Sequence, residues 1–252
     1  MKATIIDRIA SKLVNVNVIK KLLSPLYQKY KRYRLERERK KVKGLFEQYG
    51  LEALSKFDEC LTSNGYRYTL MVGTLLGAVR EKGFIKHDLD IDTAMWISDF
   101  DPNLYDILEQ AGFKRKYSYS IDNDKYGKED SFLYKGISID IFYFYPAIDE
   151  HPYFCDFVTF PEYHGVDGYE GCAKEFGGLL PRRLQMPYST GILRVPFENI
   201  LTLPIPDNAT ELLEYRYGKD YMIPNPGWSM MDKNIYIKEW PEKIGTFKVF
   251  AE

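Results

Sequence analysis

With 252 residues the chain can bury a full core as one large or two small domains, and its apolar content is ordinary apart from an aromatic excess of 21 Tyr and 15 Phe. No apolar run reaches the roughly 18 residues of a membrane span. The apolar N-terminal stretch, broken by Asp7, Arg8 and Lys12, does not fit a secretory leader, and three irregularly spaced cysteines (Cys60, Cys155, Cys172) argue for reduced thiols and a cytoplasmic setting.

The net charge of −1 conceals a split: residues 1–44 hold 14 Lys or Arg against 3 acids, a net of +11, and the remainder carries −12. Ile5, Ile6, Ile9, Leu13 and Val16 recur at near-helical spacing, and Lys20 to Val42 follows as a far more basic segment centred on K-Y-K-R-Y-R-L-E-R-E-R-K-K. This predicts a basic amphipathic helical arm over 1–44 attached to an acidic body over 45–252. Four uses fit such an arm: a solvated helix face, a helix folded back on the acidic body, an interfacial helix on anionic lipid, and a nucleic-acid arm, the last the least favoured.

Gly44 to Asn64 repeats apolar residues every three or four positions and predicts a helix. An apolar strand, Tyr68 to Val72, then runs into Gly73-Thr74 and a short helix, Leu75 to Arg80. A glycine at a strand-to-helix turn lets backbone N–H groups approach a phosphate, and a helix N-terminus favours the anion. Gly73 and Thr74 are therefore candidate phosphate contacts, with Arg80, Lys86 and His87 as nearby cations.

From Asp88 to Trp96 the sequence alternates, with Asp88, Asp90, Asp92, Ala94 and Trp96 on one side and Leu89, Ile91, Thr93 and Met95 on the other. Three carboxylates on one strand face, about 7 Å apart in succession, repel unless a cation sits among them. Oxygen ligands alone favour Mg²⁺ or Mn²⁺ over zinc. An acidic strand that merely discourages aggregation is the bland alternative.

Beyond the strand, Leu104 to Gln110 predicts a helix stopped by Gly112. Phe113 to Ser120 and Ser131 to Tyr134 read as strands flanking a polar loop, I-D-N-D-K-Y-G-K-E-D. Ile137 to Tyr145 is the most strand-like run, with Ser138, Asp140, Phe142 and Phe144 sharing one face. Asp140 stands there among large apolar side chains, which is costly unless it is paired, hydrogen-bonded or metal-bound. His151 to Gly178 shows no period. Its Cys155 and Cys172, with His151 and His164, match no compact zinc spacing. Arg182-Arg183 is a basic pair, Gly191 to Pro206 a hairpin, Asp207 to Tyr217 a helix ended by Gly218, and the Pro- and Lys-rich tail a surface wrap.

Several of these motifs together resemble the LicD proteins, relatives of fukutin and fukutin-related protein within the nucleotidyltransferase-fold superfamily. The matching residues are G-T-L-L-G-A-V-R (Gly73 to Arg80), G-F-I (Gly83 to Ile85), D-L-D-I-D (Asp88 to Asp92) and, downstream, the P-x-P and Y-G-K-D-Y-M-I-P-N-P run from Pro204 to Pro226. The chain departs from the common pattern at Lys86-His87, where Pro-Trp is usual, and at Leu89, where a further Asp is common.

The resemblance implies an α+β fold, a nucleotidyltransferase-like mixed sheet with flanking helices, to which the basic arm is added. It also implies a third carboxylate on a strand beside the D-x-D strand, which assigns Asp140 to join Asp90 and Asp92 as catalytic groups, with Asp88, Asp90, Asp92 and Asp140 as the metal set. The implied activity is phosphotransfer: a phosphorylated alcohol such as phosphocholine or a polyol phosphate passes from its CDP derivative to a hydroxyl of a cell-surface or lipid-linked glycan, as in lipopolysaccharide or capsule synthesis, releasing CMP. The enzyme would work in the cytoplasm, at the inner face of the membrane if the arm binds lipid. Trp96, Phe142, Phe144 and Trp228 could wall a choline cage, though an aromatic core uses the same residues. A D-x-D glycosyltransferase and a non-catalytic docking module are the competing functions.

Overall fold

In the computed structural model, residues 17–165, 167–225, 227–228 and 236–250 are described, with side chains of the first helix described from Lys29 onward. The periodic stretch at residues 3–16 lies outside them. Helix α1 (Asn17–Ser63) runs unbroken through the expected boundary at residue 44. Its side chains from 29 to 41 are exposed except for half-buried Tyr30 and Arg34. Burial begins at Phe46 and continues through Ala53, Leu54, Phe57 and Leu61, the stripe that the apolar spacing predicts.

The body is built on a six-stranded sheet in the order β1 (Thr69–Leu70), β2 (Asp90–Trp96), β5 (Ile137–Phe144), β4 (Gly127–Tyr134), β3 (Lys114–Ile121), β11 (Gly245–Val249). Only the central β2–β5 pair is parallel. One sheet face presents Ile91, Ile137, Ile139, Ile141 and Tyr143 and packs against α1 and α3 (Asn103–Gln110). Each of these side chains is fully or almost fully buried, worth about 1.5–3 kcal/mol apiece against exposure.

The opposite face carries Asp92, Asp140 and Phe142. A second sheet of β10 (Ile237–Glu239), β7 (Leu180–Gln185) and β6 (Tyr153–Val158) covers part of it. Phe154 meets Phe142 and Phe144 there with ring centroids 5.0 and 5.2 Å apart. The hairpin of β8 (Ile192–Phe197) and β9 (Leu201–Pro206) and the helices α4 (Gly168–Phe176) and α5 (Ala209–Tyr217) complete the body with α2 (Val72–Arg80). These features make the chain α+β with a mixed sheet, as expected.

Three expectations are corrected. The polar stretch 121–130 is a loop only at its start, where Asp122, Asn123 and Asp124 all have positive φ, and strand β4 already begins at Gly127. Its charges are tolerated because they are matched: buried Asp130 accepts the hydroxyls of Tyr143 (2.8 Å) and Tyr105 (3.0 Å) and an N–H of Arg115 (3.1 Å), with the Lys128 ammonium 3.5 Å away. Residues 151–178 hold a strand and a helix; Tyr153, Phe154 and Cys155 are buried in succession, which erases any alternation. The tail does not merely wrap the surface, since β11 pairs with β3 from Gly245↔Ile121 to Val249↔Tyr117.

Candidate active site

Strand β1 ends at Leu70, Met71 follows in extended backbone, and Val72 turns the chain at a φ of 49°. That left-handed conformation is strained for a β-branched residue. The turn points the Gly73 N–H at the carboxylate of Asp92, to which it donates at 3.3 Å. Thr74 is buried, and its hydroxyl accepts the Asp92 N–H at 2.9 Å. The Gly73-Thr74 turn thus fixes β2 and its carboxylate; the Thr74 hydroxyl is engaged by the protein's own backbone. A side chain on residue 73 would meet Asp88, since a Cβ there would lie 3.2 Å from its Oδ1. Glycine is therefore the residue that lets α2 approach the acidic strand this closely.

The parallel register pairs Asp92 directly with Asp140 and Asp90 with Ser138. Asp90, Asp92 and Asp140 each bring a carboxylate oxygen to within 4.8 Å of the others, forming the one metal-competent cluster among the described residues. Two carboxylates at such a distance repel by roughly 3–4 kcal/mol at a protein-like effective permittivity. Asp90 lies exposed at the mouth, Asp92 is half-buried and Asp140 is buried at the floor. Oxygen donors from two adjacent strands, with an open side, fit a hard divalent cation.

Asp88 stands apart from this cluster, just before β2, with its Oδ2 buried and without a hydrogen-bond partner among the described residues. Burial, then the charge of Asp90, raises its carboxyl to about 6. Asp140 also rises to about 6, through burial, despite the opposing hydrogen bond from Ser131. Loss of water around its carboxylate raises Asp90 as well, although the residue is exposed at its outer side, and burial pushes Asp92 well up, with Asp90 and Asp140 adding to the effect. A cation among them would reverse each of these shifts.

The other sequence candidates lie further out. Arg80 is half-buried, with its Nε donating to Glu81 at 2.9 Å and an Nη donating to the Tyr221 carbonyl at 3.4 Å. Lys86 and His87 are exposed in the turn between α2 and β2. No choline cage forms among the described residues: fully buried Phe144 stacks on Tyr188 at 3.9 Å, Trp96 leans on both, and Trp228 packs on Tyr217 at 4.6 Å. No zinc cluster forms among them either. Cys155 and Cys172 are buried thiols near the carbonyls of Tyr126 and Gly178, and the His151 ring meets Tyr215.

Four side chains that the sequence did not single out, Ser131, Ser138, Lys116 and Arg216, surround the cluster, and a fifth, Glu129, lies beyond it. Ser131 on β4 donates to Asp140, and Ser138 donates to the same oxygen at 3.3 Å. Lys116, at the bulge between Arg115 and Tyr117, donates to Ser138 at 3.2 Å and brings positive charge to Asp90 and Asp140. Arg216 of α5, buried, brings positive charge to Asp92. Glu129, two residues from Ser131 on the same face of β4, is buried, and burial with the charge of Asp140 drives its carboxyl well up.

Residues 65–164 match the family model for the LicD/FKTN/FKRP nucleotidyltransferase domain. The matched segment, 100 of the chain's 252 residues, is a LicD-like nucleotidyltransferase domain. This LicD domain holds α2, the acidic strand, the third carboxylate and the Ser131 hydroxyl, whereas α5 and Arg216 fall beyond the matched segment. A mouse protein named ribitol-5-phosphate transferase FKTN is 25% identical over 213 residues, 79% of this chain and 41% of the relative. Its human counterpart is 24% identical, over 79% of this chain and 40% of its own length. An uncharacterised Caenorhabditis elegans protein, T07A5.1, is 42% identical over 78 residues, 30% of this chain and 20% of its own. The chain thus spans less than half the length of these curated relatives.

Proposed function

We propose that this LicD-domain chain is a metal-dependent phosphotransferase that moves a phosphorylated alcohol from a CDP-activated donor to a glycan hydroxyl. The observation that carries this reading is the convergence of Asp90, Asp92 and Asp140 across the parallel strand pair, with the Gly73 turn beside it. The mouse and human relatives bear the name ribitol-5-phosphate transferase, which favours a polyol phosphate over phosphocholine as the group transferred.

In this mechanism the acceptor oxygen bonds to the donor's distal phosphorus, the bond from that phosphorus to the bridging oxygen breaks, and CMP departs with the electron pair. Asp90 and Asp92 would hold Mg²⁺ or Mn²⁺, and the ion would supply positive charge to offset that of the diphosphate. Asp140, oriented by Ser131 and Ser138, completes the ligand set or accepts the acceptor's proton. Lys116 and Arg216 place fixed positive charge around the cluster, where transferring phosphoryl oxygens gain from it. Arg80 at the end of α2, with Lys86 and His87 in the turn before β2, would supply further positive charge to the donor. Most of the rate enhancement then comes from positioning and electrostatics.

Isothermal titration of the full chain with CDP-ribitol, CDP-glycerol, CDP-choline, UDP-glucose and ATP, with and without Mg²⁺, tests this. Metal-dependent binding of one CDP-alcohol, lost in Asp90→Asn/Asp92→Asn, is the expected result. Binding of UDP-glucose alone would replace the reading with a glycosyltransferase. Absence of any metal-dependent binding would leave a docking module.

A further inference from the structure

The mechanism above leaves one buried acid unused. Glu129 is 8% exposed, and its carboxyl oxygens, not fully buried, make no hydrogen bond or ion pair to a described residue. Its neighbour on the opposite sheet face, Asp130, has four. The nearest arginine–acid pair on that side, Arg182 with Asp156, is already matched, with Nε to Oδ1 at 2.9 Å. Held neutral by burial, its carboxyl keeps one O–H donor and an acceptor oxygen that the protein leaves open.

The register shows where this carboxylate lies. Glu129 faces Phe142 on one side and Tyr119 on the other, two residues along β4 from the Ser131 that binds Asp140. That places it roughly 7 Å along the strand from the floor of the triad. The charges of Asp140 and Asp92 both reach it. Three tyrosines surround it: half-buried Tyr117 and buried Tyr119, with ring centroids 5.1 Å apart, and Tyr169 from the first turn of α4, edge-on to Tyr119 at 6.3 Å. Tyr169 is 43% exposed, so the cluster opens to solvent at that ring. Charge from Glu129 reaches all three phenols.

We propose that Glu129, Tyr117 and Tyr169 form a subsite that receives a hydroxyl-rich acceptor, the end of a glycan, beside the carboxylate triad. The proposal rests on the phosphotransferase reading for its orientation, with the donor on the α2 side of the triad and the acceptor on the β3–β4 side. A carboxyl group donates to and accepts from sugar hydroxyls, and phenol rings offer both flat apolar faces and O–H groups. The position is about one sugar ring from the reacting centre. An acceptor held there by one hydroxyl can present another to the phosphorus.

The test uses the full chain on a glycan array, with CDP-ribitol and CDP-choline titrations in parallel. Wild type is expected to bind glycans, and Glu129→Gln to weaken that binding about fivefold, the size of a lost neutral hydrogen bond. Tyr169→Ala, at an exposed ring, is expected to weaken it as well and guards against misfolding of the first variant. Metal-dependent CDP-ribitol affinity stays as in wild type. Glycan binding absent from wild type, or retained in both variants, would overturn the subsite. Loss of CDP-alcohol affinity in Glu129→Gln would overturn it too, by moving Glu129 to the donor side. Glycan binding that depends on Glu129 in a chain that takes no CDP-alcohol would sink the donor reading and leave the subsite standing.

Discussion

The acidic residues of the site do not share one environment, and pH separates their roles. Asp88 carries a folded-state value of about 6, raised by burial, against about 3.9 for an unfolded aspartate. A carboxyl raised on folding contributes its stability below the unfolded value and loses it as pH climbs through the folded one. In metal-free protein, therefore, Asp88 weighs against folding as pH rises from about 4 to about 6. Asp88→Asn, neutral throughout, should match wild type near pH 4 and melt at a higher temperature above pH 6. Thermal denaturation of both proteins in chelator across that window checks this. Asp140 has the same sign and range, so Mg²⁺ should raise the wild-type melting temperature more at pH 7.5 than at pH 5. A Tm gap between the two proteins that does not change with pH would mean that Asp88 stays solvated.

Among the elements, α2 is the one on which the site depends most. Its Gly77 packs on the loop that leads to the acidic strand, and a Cβ there would stand 2.4 Å from the Gly83 carbonyl oxygen. That loop has little freedom to retreat, because the β8–β9 turn clamps it: the Glu198 N–H donates to the Lys82 carbonyl at 2.6 Å, and the Glu198 carboxylate accepts the Phe84 N–H at 3.1 Å. Gly77→Ala should cost about 1–3 kcal/mol. For a domain of this size that lowers the melting point by roughly 2–4 °C per kcal/mol, and metal-dependent nucleotide affinity should fall with it. A variant with wild-type stability would show that the loop yields. This clamp was not legible in the sequence, where G-A-V-R and G-F-I are two short matches with nothing to say that they touch. The acidic strand was legible, because its period of two survives burial of only one face. Asp140 was legible as an acid among apolar neighbours. Ser131 and Glu129 were not, since K-E-D in the middle of a Gly- and Asp-rich stretch has the composition of a turn, and only the Asp130 network makes a strand of it. Lys116 was hidden for a similar reason: a bulge shifts it onto the site face, against its expected alternation. Arg216 lies more than seventy residues beyond Asp140 and more than a hundred beyond Asp90 and Asp92 in sequence, and only the packing of α5 brings them together.

At the scale of the whole molecule the charge split decides how the chain meets surfaces. No described helix is long and apolar enough to cross a membrane. The exposed part of α1 from 29 to 43 carries nine Lys or Arg against Glu36 and Glu38. At 3.6 residues per turn, Lys29, Arg32, Arg37, Arg39, Lys40 and Lys43 fall on one half of the helix circumference, with Glu36 among them. At about 1 kcal/mol per charge near an anionic lipid surface, a net of five gives roughly 5 kcal/mol, or submillimolar, reversible attachment. We propose that this helix docks the chain on anionic membrane. The acidic body, at −12 outside residues 1–44, would be repelled by the same surface. The arm's charge has to outweigh that repulsion, which salt screens within about 8 Å of the surface. The full chain should therefore sediment with phosphatidylserine-rich vesicles at low salt, stay in solution with phosphatidylcholine vesicles, and come off in about 0.5 M salt. Retention on neutral vesicles, or resistance to salt, would show that apolar insertion and not charge holds it, and would shift attention from the exposed basic helix to the apolar residues that precede it.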